Sequence, residues 1–128
     1  MRSVTGRTNR HGELIPHRVL DLPWEGAEAL RTTLGIVEDN EVPLDAELCA
    51  GLDRRLRQLF DDGDRSTPRP FELSIHEADT LVAGLQFTEA MSVHLDFFDM
   101  VQDTCRFVAD QLRSLWSDDE WAAYHAPS

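Results

Sequence analysis

The chain has 128 residues, of which 41% are apolar and 28% charged, the balance of a globular domain and not of a disordered one. Twenty-four acids against twelve basic residues leave a formal charge of −12, a balance that repels nucleic acid and anionic membrane. No apolar run approaches the roughly 18 residues of a membrane span, and no apolar core follows the N-terminal arginines as a secretory signal would require.

Residues 1–12 are polar, carry Arg2, Arg7 and Arg10 without an acid, and show no periodicity, so they read as a disordered basic tail. Residues 13–128 then hold nine arginines against all twenty-four acids, a single acidic domain at −15. Residues 14–22 read as extended, with β-branched Ile15 and Val19 and with Pro16 and Pro23 beside them, as in a short edge strand or extended arm. Ala27, Leu30 and Leu34 line one side of a first helix over 24–34, for which Gly35 is the expected terminator. This helix or the N-terminal arm can also supply the cover that Met100 and Phe107, far along the chain, require. Glu38-Asp39-Asn40-Glu41 reads as a solvated acidic loop.

Asp45 can cap a second helix over 45–60, where Leu48, Leu52, Leu56 and Leu59 form one apolar stripe. The arginines beside it, Arg54, Arg55 and Arg57, are expected to pair with nearby acids. Residues 63–70 are rich in turn residues, and the alternation from Phe71 to Ile75 predicts a short strand or a helix entry. Ser74-Ile75-His76-Glu77 is a capping box, in which the serine accepts from the Glu77 amide and the glutamate reaches back. The helix it opens, over 75–90, carries Ala78, Leu81, Val82 and Leu85 on one side and Phe87 and Met91 on the other. It therefore ends near Phe87 or is buried on both faces.

A long helix over 96–116 follows, with Phe97, Val101, Cys105, Val108, Leu112 and Leu115 advancing by three or four residues along one face. Asp96, Asp99, Asp103, Arg106, Asp110 and Arg113 run along the other. Ser117-Asp118-Asp119-Glu120 is a second capping box, opening a short helix with Trp121 and Tyr124.

Motifs for chemistry are sparse. With no lysine, Schiff-base catalysis and a phosphate-loop lysine have no residue to work with. His76 beside Glu77 starts a zincin-like pattern, but position 80 is Thr80, so His76 reads as a first-turn surface residue, and no Glu-x-x-His step accompanies the acidic stripe. Cys49 and Cys105 lack a second cysteine or histidine at zinc-site spacing and read as buried reduced thiols. No catalytic, metal or cofactor-binding residue is assigned, and no cofactor is expected. Arg106 and Arg113 stand three residues from Asp103 and Asp110, the spacing of surface ion pairs.

One pattern departs from simple solvation. Met100 and Phe107 are seven residues apart, nearly eclipsed on the helix, and project beside Asp96, Asp103 and Asp110. Methionine and aromatic residues are enriched at interfaces, so these five residues are the candidate contact surface. The expected architecture is a mainly α, irregular bundle of three main helices plus shorter ones. A small two-stranded element from 14–22 and 71–75 would make it α+β. The expected function is a non-enzymatic, cytoplasmic binding or regulatory factor, of an immunity or antagonist kind, that meets a basic protein partner or a second copy of itself. A small enzyme or ligand-binding bundle, or a DNA mimic, are the alternative readings.

Overall fold

In the computed structural model, which describes residues 7–8, 14–93 and 98–125, the strands form two small antiparallel ladders. Strand β1 (Arg7–Thr8) pairs with β2 (Leu14–Ile15), and β3 (Arg18–Leu22) pairs with β4 (Arg69–Leu73) in the register Leu20↔Phe71. Of residues 1–12, only the two in β1 are described. In the β3–β4 ladder the side-chain period of two separates the faces: Leu20, Leu22, Phe71 and Leu73 are buried, while Val19 and Glu72 face outward. Pro70 costs no ladder bond that matters, because β4 has one neighbour only.

Between β3 and β4 the chain makes an α-hairpin, α1 (Trp24–Asp39) and α2 (Ala46–Leu59). Three further helices follow β4: α3 (Ile75–Met91), α4 (Phe98–Arg113) and α5 (Asp118–His125). The fold is thus mainly α, with a small β element. The start of the long helix expected at Asp96 lies outside the described residues. Its end comes at Arg113 and not at residue 116, because Ser117 caps a new helix three residues on.

The expected end of α1 at Gly35 is overturned: the helix runs on to Asp39. Val37 extends the stripe Ala27, Leu30, Leu34, and its burial against α3 keeps the helix going past the glycine. Termination falls to a Schellman arrangement. Val42 N–H donates to the Val37 carbonyl at 3.1 Å and Glu41 N–H to that of Glu38 at 3.1 Å, with Glu41 in the left-handed region at φ 53°. Glu38 and Asp39 therefore belong to the last turn, and only Asn40 and Glu41 of the expected acidic loop lie beyond the helix.

Helix α2 starts where its cap predicts, with the Asp45 carboxylate accepting from Leu48 N–H at 3.1 Å. At Ser74 both arms of the capping box form: the hydroxyl accepts from Glu77 N–H at 3.1 Å, and the Glu77 carboxylate accepts from Ser74 N–H at 2.8 Å. Helix α3 does not stop at Phe87. It is the central helix, packed on α1 along one side and α4 along another, which is why its apolar residues are not confined to one stripe. Where α1 crosses it, Gly84 lets the backbones approach: a Cβ there would sit 2.8 Å from Thr33 Cγ2. One core joins Leu22, Leu30, Leu52, Leu56, Leu73, Leu81, Leu85 and Leu112 with Trp116 at its edge.

Helix α5 is anchored by side chains that reach far along the sequence. The Arg18 guanidinium donates to both Glu120 carboxylate oxygens, at 3.2 and 3.0 Å, and to the Leu115 carbonyl at 3.0 Å. Trp116 Nε1–H donates to the Pro16 carbonyl at 2.9 Å, and Trp121 Nε1–H to that of Arg113 at 2.7 Å. Trp116, Trp121, Tyr124 and His125 then pack ring on ring. No described helix is long and apolar enough to cross a membrane.

Candidate interaction surface

Helix α4 sorts its residues sharply. Cys105, Val108, Ala109 and Leu112 are buried against the core, and Met100, Asp103, Phe107 and Asp110 point away from it. Met100 and Phe107 are 64% and 62% exposed, the two most open large apolar side chains among the described residues. Their seven-residue separation sets Phe107 almost directly above Met100, about 10 Å along the axis. The cover expected from the first helix does not reach them: α1 lies on α3 and meets only the inner side of α4. Of the flanking acids, Asp103 and Asp110 are exposed beside the pair, and Asp96 lies outside the described residues.

The charge pairing on α4 differs from the spacing argument in one place. Arg113 does lie 3.7 Å from Asp110. Arg106, expected to pair with Asp103, crosses to α3, where its Nε and Nη2 donate to Glu89 Oε2 at 3.2 and 3.0 Å. Gln102 Nε2 adds a third contact to the same oxygen at 3.3 Å. The reason is positional: Arg106 sits on the flank that faces α3, and a partly sheltered carboxylate there offers a stronger partner than an exposed one on its own helix. Arg106, against partial desolvation and helped by Gln102, holds Glu89 below the usual carboxylate range. Asp103 is left without an ion pair among the described residues, an open negative charge next to Phe107.

The other sequence candidates settle as follows. Burial, and secondarily Glu89, pushes the Cys105 thiol up; burial, and secondarily Asp45, does the same at Cys49. Both are free thiols: Cys105 is buried as expected, while Cys49 is only half-buried, because it lines the open groove between α1 and α2. His76, expected at the surface, is half-buried, with Nδ1 at 2.6 Å from the Tyr124 hydroxyl. The correction comes from α5, whose return over the start of α3 no local pattern announces. His17 lies 3.4 Å from Glu72, and His125 lies 4.0 Å from Asp79. His94 is outside the described residues. Among the described residues no three His, Cys, Asp or Glu side chains converge as metal ligands.

A second surface was not singled out by the sequence. The α1–α2 hairpin encloses a groove of about 700 Å³ on its outer side. Arg55 leaves that side, donating to Glu77 at 3.0 Å and to the Glu72 carbonyl, and its guanidinium also lies over the Phe71 ring. Arg57 and Arg31 meet at Asp53, at 2.8 and 3.4 Å. Partial burial pulls the Asp53 pKa up, but the two guanidiniums outweigh it and hold the carboxyl below its ordinary value. Arg54 lines the groove and has no ion pair among the described residues. One signal for this was available: positions 50, 51, 57 and 58, its helical neighbours, are Ala50, Gly51, Arg57 and Gln58, none of them acidic.

The geometry thus defines a class, an acidic, mainly α domain with an open apolar pair on a helix packed into the core. No family model, curated protein or solved structure matches this chain.

Proposed function

We propose that the chain is a non-enzymatic, acidic protein-binding domain that engages a basic partner through the outer face of α4. The observation that carries this reading is the exposure of Met100 and Phe107, stacked on one line of a helix whose opposite face is locked into the core. The backbone of such a helix is already held in place, so docking orders only the side chains. The pair would supply a small apolar centre, and Asp103 and Asp110 a polar rim whose charge steers a basic partner and fixes its register. The rim also separates this reading from a DNA mimic: a mimic needs an unbroken acidic row, and here Met100 and Phe107 stand inside the row, with Arg106 and Arg113 beside it.

The test is a photo-crosslinking amino acid in place of Thr104, an exposed α4 position next to the pair, with the chain expressed in its native host. A discrete adduct that disappears in Met100→Asp/Phe107→Asp and persists in Val19→Asp, an exposed apolar site elsewhere, is the expected result. Absence of any adduct, or one indifferent to the double substitution, overturns the reading.

A further inference from the structure

We propose that the groove between α1 and α2 is a binding site for a small amphiphile with a carboxylate head and an unbranched apolar body. The groove lies on the hairpin's outer side, so this inference stands apart from the α4 surface. Its size, about 700 Å³, falls within the range of small-molecule sites. Its walls change character from end to end. The Arg31–Asp53 contact shows that the hairpin is antiparallel, with residue 31 opposite residue 53 and the Asn40–Asp45 turn at the other end.

Arginine therefore gathers midway along the hairpin, at the end of the groove remote from the turn, where Arg31 and Arg57 hold Asp53 and Arg54 lines the wall beside them. Those three guanidiniums meet two carboxylates, Asp53 and the Glu28 that lies 3.2 Å from Arg31, which leaves one positive charge locally in a domain of formal charge −12. Arg54 in particular has its full fork of donors to offer, and a carboxylate is the anion that matches that planar fork. The middle of the groove is lined by Leu34, Val37, Cys49 and Ala50, and by Gly35, beyond whose Cα a Cβ would meet nothing within 4 Å. The Cys49 thiol is protonated and belongs to this apolar stretch. Val42 and Leu44 continue it toward the turn, where Glu38 and Glu41 form an acidic lip.

This order of surfaces selects the ligand. A head with negative charge is held at Arg54, an apolar body lies over Gly35 and Ala50, and a second anion at the far end is rejected by Glu38 and Glu41. The seven residues from Arg31 to Glu38 span about 10 Å of helix, which sets the length of the body. A cationic amphiphile of equal length would put its charge against the arginines or reverse and lose the fit.

The probe is octanoate, with octylamine and acetate as controls, titrated into the full ¹⁵N-labelled chain. Octanoate should shift the amides of Gly35, Cys49, Ala50 and Arg54 saturably, while octylamine and acetate leave them without a saturable shift. Arg54→Ala should weaken octanoate about tenfold, the loss expected for one charged hydrogen-bonding partner. Gly35→Leu should abolish binding by filling the groove. That variant keeps the helix, since leucine is the better helix former and the site is open. Octanoate shifts that fail to saturate or that centre on α4 overturn the proposal, as do octylamine binding with equal affinity or an Arg54→Ala variant that binds as before.

Discussion

Gly84 and Glu41 show how much a single backbone position decides in this chain. At Gly84 the helices α1 and α3 come together with the Thr88 hydroxyl donating to the Gly84 carbonyl at 3.0 Å and lying 3.1 Å from the Thr33 hydroxyl. Thr33 is 1% exposed, so it has nowhere to move when a methyl group arrives 2.8 Å from its Cγ2. Gly84→Ala should therefore lower stability by about 1–3 kcal/mol, the overpacking cost, despite alanine's better helix propensity. A denaturant midpoint at or above the parent's would contradict this. Glu41 is the reverse case, a side chain in the left-handed region that favours glycine. Glu41→Gly should raise stability by about 1 kcal/mol, and the same denaturant titration checks it, an unchanged or lower midpoint counting against the strain.

At the scale of elements, helix ends and the pairs between helices carry the testable energetics. Loss of the Ser74 hydroxyl leaves the Glu77 amide without its acceptor at a buried position. Ser74→Ala is expected to cost about 1 kcal/mol of unfolding free energy, read as a shift in denaturant midpoint at constant slope. Two carboxylates tie neighbouring helices: Asp53 holds α2 to Arg31 of α1, and Glu89 holds α3 to Arg106 of α4. Both have folded-state pKa values below their ordinary ones. Their stabilisation is then fully present above the unfolded carboxylate pKa of about 4 and is lost as pH falls through the lower folded values. Stability should be level with respect to these groups at neutral pH and drop below about pH 4. Asp53→Asn should be less stable than the parent at pH 7 and closer to it at pH 3. A constant gap between the two across that range would show that the α1–α2 pair contributes nothing.

At the scale of the whole molecule, the exposed face of α4 is the surface a partner has to cover. A second copy would satisfy the same chemistry as a foreign partner: two α4 faces meeting about a two-fold axis place Met100 and Phe107 of each chain against those of the other. The rims then oppose Asp103 and Asp110 with their own symmetry mates, so moderate salt, by screening like charges, should tighten such a dimer. Sedimentation at low and moderate salt is the measurement. A dimer that strengthens with salt and dissociates in the folded Met100→Asp/Phe107→Asp variant is expected if a second copy is the cover. A parent that stays monomeric at high micromolar concentration in both conditions assigns the face to a different partner.

What the sequence determined by itself rests on neighbours three or four residues apart. The caps at Asp45, Ser74 and Ser117, the stripe Leu48–Leu52–Leu56–Leu59, the amphipathic face of α4 and the outward line of Met100 and Phe107 are all of this kind. Helical periodicity is a local geometry, and a hydroxyl or carboxylate at a cap answers an amide within its own turn. Where the sequence reading failed, a distant residue outweighed the local preference. Burial of Val37 under α3 carried α1 through Gly35, and Glu89 drew Arg106 away from Asp103. Likewise α5 folded back to bring Tyr124 to His76, and Arg18 found Glu120 a hundred residues on. The pairing of β3 with β4 across the whole α1–α2 hairpin was open in the sequence only as an alternative two-stranded element, and the groove that hairpin encloses has no signature in any window of the chain. Only the tertiary structure decided them, because burial and charge pairing depend on which surfaces meet, and spacing along one helix does not say which they are.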